Sequence, residues 1–128
     1  MKKPFTVLFV FCMLGLACCS GSNNPERIAR AFLEAYYGND LYAARDLAVP
    51  DTRQEIGETI LQLEEQGITL KEMKAMAKPV IIEIEGVIAN NGKMAVCAYK
   101  LKNAPDDANA MMETLLLHYT EEGWRVAF

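Results

Sequence analysis

The spacing of apolar residues changes period once along this chain, and the change falls at Pro79. Ahead of it apolar side chains recur three and four residues apart, as one face of a helix requires; beyond it they recur every second residue, as a half-buried strand requires. Helices first and strands afterwards predict an α+β domain, with N-terminal helices packed on a sheet that they cover.

Asn91-Gly92 stands between Val80–Asn90 and Lys93–Lys102 and predicts a two-residue type I′ turn, which sets the register of a hairpin. Counting from that turn puts Ile82 opposite Leu101, Glu83 opposite Lys100, Ile84 opposite Tyr99, Gly86 opposite Cys97 and Ile88 opposite Ala95. One face is then almost wholly apolar, and the other carries the opposite-charge pair Glu83 and Lys100. A slip by one residue would drive that pair into the core, so pattern and turn agree. A polar loop from Asn103 to Asn109 contains Pro105, and a second hairpin turns at Glu122-Gly123. Leu115, Leu117 and Tyr119 share a face with Trp124, Val126 and Phe128, while His118, Thr120 and Arg125 point the other way. Four antiparallel strands in two hairpins result.

Ahead of the strands, Asn24 is a good N-cap for a helix with Pro25 at its first position and Glu26 meeting the helix dipole. Ile28, Ala31, Phe32, Ala35 and Tyr36 form its apolar stripe, and Gly38 closes it. A second, shorter helix runs from about Asp40 to Ala48 and buries Leu41, Ala44 and Leu47 before Pro50 stops it. Asp51 caps a third helix with the stripe Ile56, Ile60 and Leu63, ended by Gly67. Thr69 with Glu72 is a capping-box pattern for a fourth, carrying Met73 and Met76.

At the N-terminus, Lys2 and Lys3 precede an uncharged apolar run from Phe5 to Ala17. That is the layout of a secretory signal: a charged start, a short greasy segment and small residues at a cleavage point. A permanent span needs roughly 20 apolar residues, which the run lacks. Leu14-Gly15-Leu16-Ala17-Cys18-Cys19 resembles the lipobox of bacterial lipoproteins, in which the cysteine after a small residue is acylated and becomes the new N-terminus. Cys18 is the expected lipidation site, since Ala17 suits the preceding position, and Cys19 is the alternative. The expected organisation is a signal peptide over 1–17, a lipidated tether over 18–24 and a single domain over 25–128. The chain would be held by acyl lipid on the cell envelope outside the cytoplasm, at the periplasmic or outer-membrane face.

Composition narrows the function. Removing Lys2 and Lys3 from 13 basic residues, against 17 acidic ones, takes the net charge from −4 to −6. An acidic surface repels phosphate, which argues against nucleic-acid partners and against electrostatic attraction to anionic lipid. Of four cysteines only Cys97 falls in the folded region, so neither a disulfide framework nor a thiolate metal site is expected.

Pro25-Glu26-Arg27-Ile28-Ala29-Arg30-Ala31-Phe32-Leu33-Glu34-Ala35, Gly38-Asn39-Asp40-Leu41-Tyr42-Ala43-Ala44 and Glu122-Gly123-Trp124-Arg125-Val126 resemble the cystatin-like, nuclear-transport-factor-like α+β domains. Among these they are most similar to small bacterial lipoproteins with domain of unknown function 4878, akin to lumazine-binding-like domains. The resemblance covers residues 25 to 128. It implies a curved sheet wrapped around the helices, with a pocket between them.

Within such a pocket the inner sheet face would offer Tyr99, Tyr119, Cys97 and the Trp124 indole as polar groups, beside Ile84, with no carboxylate or imidazole. General acid–base work needs a group that holds and releases a proton near neutral pH. The expectation is therefore no enzyme, no catalytic residue, no cofactor and no metal, but a non-catalytic module binding an apolar small molecule or peptide. Glu34 and Asp46 read as solvated helix residues, the lone His118 as a surface residue, and Cys97 as a small buried hydrophobe. The alternative is a structural or interaction module of the envelope. Its outer sheet face, with Val87, Met94, Val96 and Leu116, would pack on an envelope protein or a second copy as a homodimer.

Overall fold

The computed structural model describes residues 24–128. The expected signal segment, both candidate cysteines and the tether up to Asn23 lie outside the described residues. Helices α1 (Pro25–Tyr37), α2 (Leu41–Asp46), α3 (Pro50–Glu65) and α4 (Leu70–Ala75) precede strands β1 (Ile81–Asn90), β2 (Met94–Lys102), β3 (Met112–Thr120) and β4 (Gly123–Ala127). The strands form one antiparallel sheet in the order β1-β2-β3-β4, because β2 also pairs with β3. The α+β class is as the period change predicts.

The local signals at the helix ends act as read. The Asn24 side chain accepts from Glu26 N at 2.8 Å with Pro25 in the first turn, and the Asp40 carboxylate accepts from Ala43 N. Thr69 and Glu72 close a reciprocal capping box. Gly67 (φ 79°) ends α3 with Gly67 N bonded to Glu64 O and Ile68 N to Leu63 O, the paired bonds that satisfy the last carbonyls of a helix. Two expectations are corrected. Pro50 does not stop a helix but opens α3, whose N-cap is Val49 and not Asp51; Val49 is held extended by its N–H bond to Val126 O at 2.8 Å. The buried face of α1 is Ile28, Ala29, Phe32 and Leu33, leaving Ala31 exposed, because α1 packs against both the sheet and α2.

Phe32 and Leu33 on α1 meet Cys97, Leu115, Leu117 and Val126 of the sheet, all fully buried, and Ile56, Ile60 and Met73 extend the core toward α3 and α4. Burying each large side chain contributes about 1.5–3 kcal/mol.

Register holds from Ile81 to Ile84, with Glu83 opposite Lys100 and Ile84 opposite Tyr99, though the ion pair Glu83 makes is with Lys102. Beyond Ile84 it departs. One irregularity lies between Ile84 and Gly86 and another between Val87 and Ala89, so Val87, not Gly86, faces Cys97, and Asn90, not Ile88, faces Ala95. Each extra residue reverses which side chains point inward. Val87 therefore packs on the core, and Ile88 stands 63% exposed. The expectation of Val87 outside and Ile88 inside is overturned. The turn has moved one residue as well: Asn91 N donates to Met94 O, and the Asn91 side chain accepts from Lys93 N and Met94 N, which centres the loop on Gly92-Lys93. The second hairpin turns at Glu121-Glu122, because Thr120 pairs with Gly123; the two faces expected for β3 and β4 are otherwise kept.

The outer edge of β4 is occupied. Val126 N donates to Leu47 O while Val126 O accepts from Val49 N, each at 2.8 Å, and Ala48 bridges Val126 in parallel. The Arg125 guanidinium reaches back to the Trp124 carbonyl at 2.7 Å, and the Thr52 hydroxyl accepts from Phe128 N and donates to Phe128 O.

Candidate functional site

None of the side chains proposed for a pocket is among those lining the cavity described below. Tyr99 (2% exposed), Cys97 and Trp124 are core residues, and Ile84 is half-buried against the same core. Tyr119 is 52% exposed, its ring set edge-on to Trp124 at 5.3 Å. Burial pushes the Tyr99 phenol up to about 12, with Tyr37 and Glu113 adding to the shift. Burial also pushes the Cys97 thiol up. A phenol and a thiol held more firmly protonated donate hydrogen bonds; they are poorly suited to proton transfer near neutral pH.

A cavity of about 600 Å³ lies elsewhere, between the helices and beyond the end of β4. One wall is a face of α3: Thr52, Glu55, Ile56, Thr59 and Leu63, at spacings that keep a single side of a helix in line. From Thr52 to Leu63 that wall runs about 16 Å at 1.5 Å per residue. The facing wall comes from Met73 on α4 and the segment from Met76 to Val80 that leads into β1, with Asn103 beside it. Phe128 follows β4 and Val80 precedes β1, at opposite edges of the sheet, about 14 Å apart for three strand spacings. The cavity is thus long, and its two ends are built by different elements.

The end near Thr52 is aromatic. Tyr36 stacks on Phe32 at 5.6 Å, and Phe128 sets its ring against both, at 4.8 Å from Tyr36 and 5.4 Å from Phe32. Tyr37 lines the cavity too, and its phenol interacts with that of Tyr99, so Tyr99 touches the cavity only through Tyr37. The α4 wall is fixed by the α1–α2 corner: Asn39 Nδ2 donates to Met73 O at 2.9 Å, and Lys74 Nζ lies 3.6 Å from the Asp40 carboxylate.

Some polar groups of the lining are committed inside the protein. The Thr52 hydroxyl serves Phe128, and Thr59 donates to the Glu55 carbonyl. Among the described residues, the Glu55 carboxylate and the Lys78 ammonium have no ion-pair partner, and the Asn103 side chain has no hydrogen-bond partner. No group of three metal-ligating side chains occurs among the described residues, and none of their helices is long and apolar enough to cross a membrane.

The lining of this cavity shares no residue with the pocket expected from the sequence. Met76 and Phe128 enter that reading only as packing residues, and Lys78, between α4 and β1, does not enter it. Comparisons with protein-family models, with curated proteins and with solved structures gave no match.

Proposed function

We propose that this chain is an extracytoplasmic lipoprotein, anchored through acylated Cys18, whose domain holds a small apolar molecule without chemically changing it. The observation that carries the reading is the cavity between α1, α3 and α4. At about 600 Å³ it is of the size usual for ligand sites, roughly 300–1,000 Å³, and has aromatic and methionine walls with a few uncommitted polar groups. Methionines such as Met73 and Met76 adapt their shape to a guest. The resemblance to cystatin-like, nuclear-transport-factor-like domains, which implies a pocket between helices and sheet, supports the same reading.

Native mass spectrometry of the full chain, released from detergent in the gas phase, tests it. A reproducible extra mass that disappears on denaturation is the expected result; a clean mass of protein and acyl anchor alone overturns it. Metabolic labelling with a tagged fatty acid tests the anchor. Cys18→Ala is expected to abolish incorporation and Cys19→Ala to leave it, and the reverse pattern would assign the anchor to Cys19.

A second reading is an interaction module, and one observation favours it. Ala89, Val96, Leu116 and Ala127 pair in sequence across all four strands, giving an apolar row on the outer sheet face. Exposed Met94 and Ile88 adjoin it. Sedimentation at high concentration decides whether two copies use this face: a monomer throughout would remove the homodimer version.

A further inference from the structure

Resting on the reading of the cavity as a ligand site, we infer that its guest is a single-chain carboxylate of fatty-acid type, with the alkyl chain along α3 and the head group at Lys78. The length of the cavity carries the first half. A cavity about 16 Å long along α3, with Ile56 and Leu63 on that wall and Met73 and Met76 across from it, suits an extended chain better than a compact ring system. The adaptable methionines stand on the wall facing α3, where a flexible chain needs a surface that follows it.

Charge carries the second half. Lys78 is the one cation among the lining residues, and among the described residues it has no ion-pair partner. The β1–β2 ladder pairs Ile81 with Lys102, so its continuation brings Val80 alongside Asn103. Lys78 and the Asn103 amide therefore stand on adjoining segments at one end of the cavity. An ammonium and an amide donor are the groups that receive a carboxylate. Glu55 stands one helical turn from Thr52, toward the Phe128 end, where its charge repels a carboxylate and steers the head group to Lys78. An alkylammonium would be drawn the opposite way, to Glu55 and the aromatic rings.

A palmitate carrying a photoreactive group at its methyl end, irradiated with the full chain in neutral vesicles, reads both halves at once. Labelling is expected on α3 or Phe128, competed by palmitate and less well by palmityl alcohol. Because the Lys78 head is solvent-exposed, Lys78→Ala is expected to weaken palmitate competition by only about fivefold while leaving the alcohol unchanged. Lys78→Glu is expected to weaken it further, and Glu55→Gln to leave it unchanged or stronger. Circular dichroism melts of the variants confirm that they fold.

Equal competition by palmitate and palmitylamine, or wild-type palmitate competition by Lys78→Glu, overturns the carboxylate assignment. Competition by a two-chain phosphatidic acid as strong as by palmitate overturns the single-chain assignment. A neutral or cationic bound mass in native spectra sinks this inference and leaves the cavity a ligand site. A clean native mass together with no cavity labelling sinks both.

Discussion

The side-chain amide of Asn39 donates a 2.9 Å hydrogen bond to the main-chain carbonyl of Met73, tying the corner between α1 and α2 to a helix 34 residues further on. Asn39 is also the one non-glycine residue with positive φ, 61°, among the described residues. One residue thus turns the chain and fixes the far wall of the cavity.

Two substitutions separate these roles. Asn39→Gly keeps the left-handed conformation and removes the amide, with an expected loss of about 1 kcal/mol in urea unfolding. Asn39→Ala removes the amide and adds a left-handed penalty of about 1–2 kcal/mol. Equal losses for the two would show that backbone conformation plays no part. Faster hydrogen exchange in α4 is expected for both.

Gly86 and Gly57 predict opposite signs. At Gly86, φ is 132° and an added Cβ meets nothing within 4 Å, so Gly86→Ala costs only conformational strain, about 1–3 kcal/mol. Gly57 lies inside α3, where an added Cβ meets only the Arg45 side chain at 4.0 Å. Gly57→Ala is expected to stabilise by up to about 1 kcal/mol. Thermal melts of the two variants give the comparison, and a stabilising Gly86→Ala would contradict the bulge.

Tyr99 gives alkaline pH dependence. Its phenol is held at about 12 in the folded chain, against about 10 for an unfolded tyrosine. Below about pH 10 both states keep the proton and the contribution is fully present; between about 10 and 12 only the unfolded chain ionises, and stability falls. Tyr99→Phe is expected to flatten this part of the decline. An unchanged slope in denaturant unfolding across that window would show that Tyr99 is not the group responsible.

Glu72 acts at the acidic end. Hydrogen bonds from the Thr69 backbone and hydroxyl hold its carboxyl below the usual carboxylate range. Its contribution is present above the ordinary carboxylate pKa and is lost as pH falls through the lower folded value. A carbon-detected titration of Glu72 is expected to show that lowered midpoint, and Thr69→Ala, which removes the hydroxyl but keeps the larger backbone contribution, to raise it only part of the way.

What could be read without the structure was what neighbouring residues decide among themselves. The Asn24 and Thr69 caps, the Gly67 stop and the pairing of Glu83 with Lys100 each depend on side chains a few residues apart or on one hairpin. The bulges were hidden because Val87 and Ile88 are adjacent β-branched residues, and either satisfies an apolar inward position. Only Gly86 hinted at the break, since an interior strand glycine often marks one. The N-cap of α3 was misplaced because Asp51 looks like a cap, while Val49 is held extended by a bond to Val126, 77 residues away. The cavity was hidden for the same reason. One wall is a periodic face of α3, but what faces it is set by contacts between distant residues, Asn39 with Met73 and Thr52 with Phe128, which no periodicity marks.

Most main-chain groups along the far side of β4 have partners: the Trp124 carbonyl in Arg125, both groups of Val126 in Leu47 and Val49, and both groups of Phe128 in Thr52. Among the described residues the other sheet edge is that of β1, where two irregularities break the flat template that an added strand would copy. Strand addition from one copy to the next therefore finds no continuous rail along the sheet, whatever the outer face packs against.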